Sequence, residues 1–502
     1  MSVIFPHIFR TEHSETHTTN AEYGEYFATR QRGKISVGPI LGGLMKCVDS
    51  HVKAFLEDLR VAVAIKSVSG DLRYRTDIRH IIKWTEDWLT KLDFKYECFY
   101  VGYHVLNGQK VRIPPVILAS YGNDPKKRTV CVYGYLDVKL PAMEEWKTDP
   151  WTLTQVDKRF HGAGTASGKG ILLCWFHIIE AFKRTNTPLP VNIKFVIESM
   201  NHRSSQGLAE FLQTKKLDFF SNVNCIVSCE GEWIGEKYPC IIYGTVGHLV
   251  FDIFVEQKDD SDIKADMEAI MNSLYDPIGE EILIPHFNDF VKQITPDEEG
   301  VYEAIQEFDI DKIRPSLPKN KQKWDKIKLL MHYWRLPNMH ISEDINCSCD
   351  KNSKNIIKRQ VIVKLVQRQV MDNAYMQFSS FVEETVVKLG IKSKVTCKMI
   401  SSTRHWSENI RSWNYEAARR ATIQTYKEEP SFIREDRPVT SISTLDGTLE
   451  KNILVLPLVG NGSKTGEANE NIAYRNFFEG TKLLAAYLIQ LAQVDDVEKP
   501  NI

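Results

Sequence analysis

TVCVYGYLDV (Thr129–Val138) begins the stretch that decides the fold. A loop containing WKTDPW (146–151) follows, and HGAGTASGKG (161–170) closes it. Val130, Val132 and Tyr133 are β-branched or aromatic and Gly134 breaks the run, so the first part predicts a buried strand. The glycine-rich part predicts a turn that opens a helix. Residues 171–182, ILLCWFHIIEAF, are apolar on nearly every face, so that helix is expected to be buried. Strand, loop and buried helix make one unit of an α/β domain.

Outward from this unit the same pattern recurs. Val191–Met200 and Cys225–Cys229 read as further strands, Asn452–Val459 as a last one, and Asn414–Tyr426 as a helix. Helical spacing begins at Met45, and Ile78–Leu92 is a second amphipathic helix. A new pattern starts at Gly247: a strand, HLVFDIFVEQ, then Asp262–Leu274 with Ile263, Met267, Ile270, Met271 and Leu274 on one helical face. Residues 1–44 are polar, carry His7, His13 and His17, and read as a poorly ordered extension.

The chain's 502 residues suffice for two full cores. A net charge of -1 recommends neither nucleic acid nor an anionic membrane as partner. No apolar run reaches membrane-spanning length. The ten cysteines form no C-x-x-C pair, which predicts free thiols in a reducing compartment, the cytoplasm. Cys347-Ser-Cys349 lacks a second pair at zinc-finger spacing and reads as a loop. Gly162, Gly164 and Gly168 miss the dinucleotide spacing, and Gly168-Lys169-Gly170 lacks the Ser/Thr of a phosphate loop.

The 129–170 segment resembles the M20 family of zinc peptidases, in particular its cytosolic non-specific dipeptidase and carnosinase branch. Those proteins carry an HLDV strand end, a Trp- and Pro-bearing loop and a G-x-G-S-x-D-D-K-G turn. The resemblance runs from about Met45 to Gln493 and includes IKSVS (65–69), Trp233-Ile-Gly235 with PCIIYG (239–244), and FEGTKLLAAY (478–487). It implies an α/β, mixed-sheet peptidase-like domain over 45–246 and 392–502, with a smaller α+β lid or dimerisation domain inserted at 247–391.

The resemblance also places a site. At the family's metal-ligand positions this chain has Tyr135, Ser167, His202, Glu230 and Gly466. The metal-supporting Asp137 is kept, and the general-base position is Asn201, whose amide takes up no proton at neutral pH. The substrate-carboxylate arginine of the lid corresponds to Lys364. Arg434 opens REDRP (434–438) in place of a glycine turn that holds substrate backbone. These departures predict no bound cofactor, where the family uses two zinc or manganese ions, and a non-catalytic relative with a binding or regulatory role. The alternative is a metal-dependent dipeptidase working with altered ligands. In a metal-free site Lys169 is expected to pair with Asp137, and Glu230 to lie beside His202. The resemblance further implies a homodimer through the lid, with its 262–274 helix and an edge strand as contact, or a heterodimer with an active relative.

Overall fold

The computed structural model describes residues 38–495, except 278–280, 290, 292, 318, 320, 347–354 and 367–368. His7, His13, His17 and the Cys347–Cys349 pair lie outside the described residues.

Thr129–Tyr135 is a central strand of a nine-stranded mixed sheet. Asn192–Glu198 and Cys225–Ser228 run parallel to it on either side, and Asn452–Val455 extends the parallel run beyond Cys225–Ser228. Parallel strands are covered on both faces, which is why these segments read as continuous apolar runs. Val116–Tyr121 and Lys95–Phe99 add antiparallel strands at one margin. The helix Gly168–Arg184 is buried over most of its length and packs against Tyr474–Gln493. Trp175, Phe176 and Phe182 are each at most 1% exposed, and each such burial contributes about 1.5–3 kcal/mol.

The glycines of the opening motif serve this packing. A Cβ at Gly168 would stand 2.3 Å from the Tyr135 carbonyl oxygen, and one at Gly170 would stand 2.0 Å from that of Thr165. The helix therefore starts hard against the strand end, and only glycine fits at either position.

A second, five-stranded sheet is wholly antiparallel. Gly247–Glu256 lies between Ile356–Leu365 and Lys394–Thr403, with Asn338–Ile341 beyond Ile356–Leu365. The helices Ile263–Leu274 and Met371–Lys388 join it in a separate apolar cluster. Asp262 caps the first of these, accepting from the Lys264 and Ala265 amides at 3.1 and 3.2 Å. The fold class is thus as expected: a mixed-sheet α/β unit with a smaller α+β unit between its halves.

Several expectations are corrected. The first ordered helix starts at Pro39, inside the expected extension, and buries Leu41 and Leu44. Lys394–Thr403 is an edge of the smaller sheet, so the chain rejoins the large sheet at Trp406 rather than near residue 392. Within 247–391, Val301, Tyr302, Leu329, Leu330 and Trp334 pack into the large core, so the division between cores runs inside that stretch. Met267 and Ile270 are fully buried against the smaller sheet. They hold the lid together and leave no side chain for a partner to touch.

Candidate functional site

The parallel strands 129–135, 192–198 and 225–228 end at one margin of the large sheet, where open α/β sheets place their sites. A small, partly open cavity lies there, and Tyr135, Ser167, Trp175, Glu230, Gly231 and Thr465 are among the residues lining it.

Asp137 is fully buried and spends its oxygens on the scaffold. Its Oδ1 accepts from the Asn201 amide at 3.0 Å; its Oδ2 accepts from the His202 amide at 3.0 Å and from Ser69 Oγ at 2.6 Å. The aspartate thereby fixes the 201–203 turn. Asn201 Nδ2 donates to Glu230 Oε1 at 2.9 Å and to Tyr133 Oη at 3.0 Å. Glu230 Oε2 accepts from Ser441 Oγ at 2.7 Å and Ser228 Oγ at 3.1 Å. Burial raises the Glu230 carboxyl above its ordinary value, against the lowering effect of these donors.

Glu198, at the end of the neighbouring strand, joins the network. Its Oε1 accepts from Tyr133 Oη and Ser205 Oγ, both at 2.6 Å, and burial pushes it up to about 8. Sequence reasoning missed Glu198, Tyr133, Ser69 and Ser441. The one available signal was an acid closing the apolar strand VNIKFVIE.

The structure brings Tyr135, Ser167 and Glu230 to the cavity, and it brings His202 and Gly466 together. A Cβ at Gly466 would stand 3.4 Å from His202 Cε1. The Tyr135 and His202 rings meet edge to face at a centroid distance of 5.6 Å. His202 Nε2 is shielded from solvent and has no hydrogen-bond partner, and burial lowers the His202 imidazole below its ordinary value.

Two expected pairings are absent. Lys169 does not reach Asp137: its Nζ donates to the Ile65 carbonyl at 3.0 Å and points toward that of Val63 at 3.5 Å, and burial lowers it to about 7. Glu230 is bonded to Asn201 and two serines rather than to His202. Lys364 and Arg434 do not line the cavity. Lys364 is buried, with its Nζ on the His332 and Tyr333 carbonyls at 2.8 and 3.2 Å. Arg434 faces Glu298 at 3.5 Å and covers the Tyr243 ring.

The donor set does not suit a metal pair. Among the described residues no three His, Cys, Asp or Glu side chains converge to hold an ion. Asp137 and Glu230 have their oxygens engaged, and burial with the Glu230 charge keeps the Tyr135 phenol well above its ordinary value, hence protonated. His202 Nε2 is the one open imidazole nitrogen here. The residues present do not fit a two-metal centre.

The profile of Peptidase family M20/M25/M40 matches residues 131–490. The Cys-Gly metallodipeptidase dug1 of Schizosaccharomyces pombe is 31% identical over 90% of this chain and 99% of its own length. The human Beta-Ala-His dipeptidase is 33% identical over 91% of this chain and 93% of its own. The crystal structure of human carnosine dipeptidase 1 superposes with a TM-score of 0.79 at 31% identity, covering 91% of this chain and 99% of that one. The expectation that no cofactor goes with this chain is overturned by these relatives, one of which is named a metallodipeptidase.

Proposed function

This chain belongs to peptidase family M20/M25/M40, and we propose that it binds short peptides of the dipeptide class at the cavity without turning them over at the rate of a dipeptidase. The observation that carries this reading is Asn201. Its amide stands at the position the resemblance gives to the general base, and it donates to Glu230 and Tyr133 instead of offering a carboxylate to water. Tyr135, Ser167, His202, Glu230 and Gly466 then occupy the former ligand positions, with Asp137 holding the 201–203 turn in place. Lys364 and Arg434, assigned to substrate by the resemblance, serve packing here.

A metal-dependent dipeptidase with altered ligands is the second reading. The relatives' names favour it, and the open His202 Nε2 beside Gly466 is the feature of this chain that supports it. One experiment separates the two. Cys-Gly and β-Ala-His are offered with zinc or manganese added, and both binding and cleavage are followed. The expected result is saturable peptide binding with cleavage at least about a hundredfold below that of an active relative, the span general-base catalysis supplies. Chelator-sensitive cleavage at the relative's rate establishes the second reading instead.

The eight described cysteines are free, which supports a cytoplasmic setting. No described helix is long and apolar enough to cross a membrane. For self-association the lid offers its edge strand Lys394–Thr403, where Met399 is 40% and Ile400 47% exposed. Met399→Lys with Ile400→Lys is expected to convert a dimer to a 57.8 kDa monomer in sedimentation. An unchanged dimer would place the contact elsewhere.

A further inference from the structure

Arg75, His104 and Arg203 converge outside the cavity; none of them lines it. Arg75 opens the helix Arg75–Lys91, His104 lies on the short strand Tyr103–Leu106, and Arg203 ends the turn Asn201–Arg203. His104 is only 7% exposed, although it lies near the surface. An Arg75 Nη contacts His104 Nε2.

The protons in this cluster can be assigned. A guanidinium has donors only, so Arg75 donates to Nε2 and the imidazole proton stands on Nδ1. Arg75 Nε and Arg203 Nε are shielded from solvent and have no acceptor, while the His104 proton faces the Gln206 side chain. Two guanidinium donors are therefore buried with nothing to receive them.

No acid offsets the charge. Burial and the Arg203 charge are what lower Arg75; His104 is lowered by burial and by Arg75, raised by the bond it donates to Gln206, and lowered again by the Arg203 charge. Among the described residues neither guanidinium has a carboxylate partner. The neighbouring Arg73 shows the contrast, paired with Asp71 at 2.6 Å. Buried polar groups are normally satisfied, and like charges repel, so this arrangement calls for an anion.

We propose that Arg75 and Arg203, with His104 holding Arg75 in place, form a binding site for a phosphate-class oxyanion, either inorganic phosphate or the phosphate of a monoester. Guanidinium forks present parallel N–H groups to paired oxygens. A tetrahedral oxyanion carries enough oxygens to receive both forks together. The two oxygens of a carboxylate suit a single fork.

The test uses the whole chain in phosphate-free buffer. Inorganic phosphate, methyl phosphate and acetate are titrated separately, with binding read by calorimetry and melting temperature by fluorimetry. Saturable binding of phosphate is expected, tighter than acetate, with a rise in melting temperature. Arg203→Gln should weaken phosphate by about tenfold or more, the share of one charged fork. In phosphate-free buffer the same variant should melt no lower than the wild type, because a like charge is gone. Methyl phosphate binding as tightly as phosphate assigns the monoester; a strong preference for inorganic phosphate assigns the free ion. No saturable phosphate binding, equal affinity for acetate, or undiminished affinity in Arg203→Gln overturns the site.

Discussion

Gly170→Ala should lower the stability of this protein by about 3 kcal/mol or more, at the upper end of what a single added methyl does. The new Cβ would stand 2.0 Å from the Thr165 carbonyl oxygen and 2.8 Å from its carbon. Both are backbone atoms, so no side chain can swing away. The helix Gly168–Arg184 would have to withdraw from the turn that feeds it, breaking the bond from the Gly170 amide to the Gly164 carbonyl at 2.8 Å. Glu470 ties the same turn down from the far side, accepting from the Gly164 and Ala166 amides at 2.9 and 3.0 Å. Displacement of the helix therefore reaches the cavity floor as well as the core. Gly43→Ala is the control. It lies inside the helix Pro39–Ser50 with nothing within 4 Å of its Cβ position, and should stabilise by about 0.5–1 kcal/mol. The two changes in melting temperature are expected to have opposite signs. A Gly170→Ala protein that melts with the wild type would show that the close approach is not maintained in solution.

The fold was legible because its phrases are local. TVCVYGY is buried on both faces as a central strand must be, the helix after Gly170 is apolar all round, and a helix forms after Asp262 where expected. Boundaries suffered where a signal had two readings. Pro39 is a good first residue of a helix, but Gly42 and Gly43 beside it are poor helix formers. The strand Lys394–Thr403 alternates well enough, yet alternation does not say which sheet it joins. Site chemistry was less legible still, because it depends on which way buried polar groups turn. Lys169 and Asp137 are opposite charges within the one 129–170 segment, and pairing them was reasonable. In the structure Asp137 faces amides from the 201–203 turn while Lys169 faces carbonyls of the 63–65 segment. Neither set of partners is encoded by a motif. Arg75 and Arg203 are likewise far apart in sequence, and only the folded chain sets them side by side.

Glu198→Gln should flatten the pH dependence of stability and leave the variant more stable than the wild type at pH 8. Glu198 is 2% exposed, and its carboxyl is pushed up to about 8, by burial first, against the lowering effect of Ser205 and Tyr133. The unfolded value is near 4.5. A group raised on folding favours the folded state fully below its unfolded value, and that contribution is lost as pH rises through the folded one. Between pH 4.5 and about 8 the unfolded chain releases this proton while the folded chain keeps it, so the wild type weakens steadily across the window. Each pH step of that window takes about 1.4 kcal/mol from the folded state, so the whole effect is on the order of a few kcal/mol. Glutamine keeps an oxygen for Tyr133 Oη and Ser205 Oγ, and it has no proton to lose. Melting temperatures of the two proteins should therefore converge near pH 5 and separate by several degrees at pH 8, with the variant higher. Parallel curves across that range would mean that Glu198 is already ionised in the folded protein, and that Tyr133 and Ser205 together offset its burial. The outcome also bears on the cavity. A neutral Glu198 leaves Glu230 as the nearer negative charge beside Asn201, whereas two ionised carboxylates sharing the Tyr133–Asn201 network would repel each other and draw a cation toward the site.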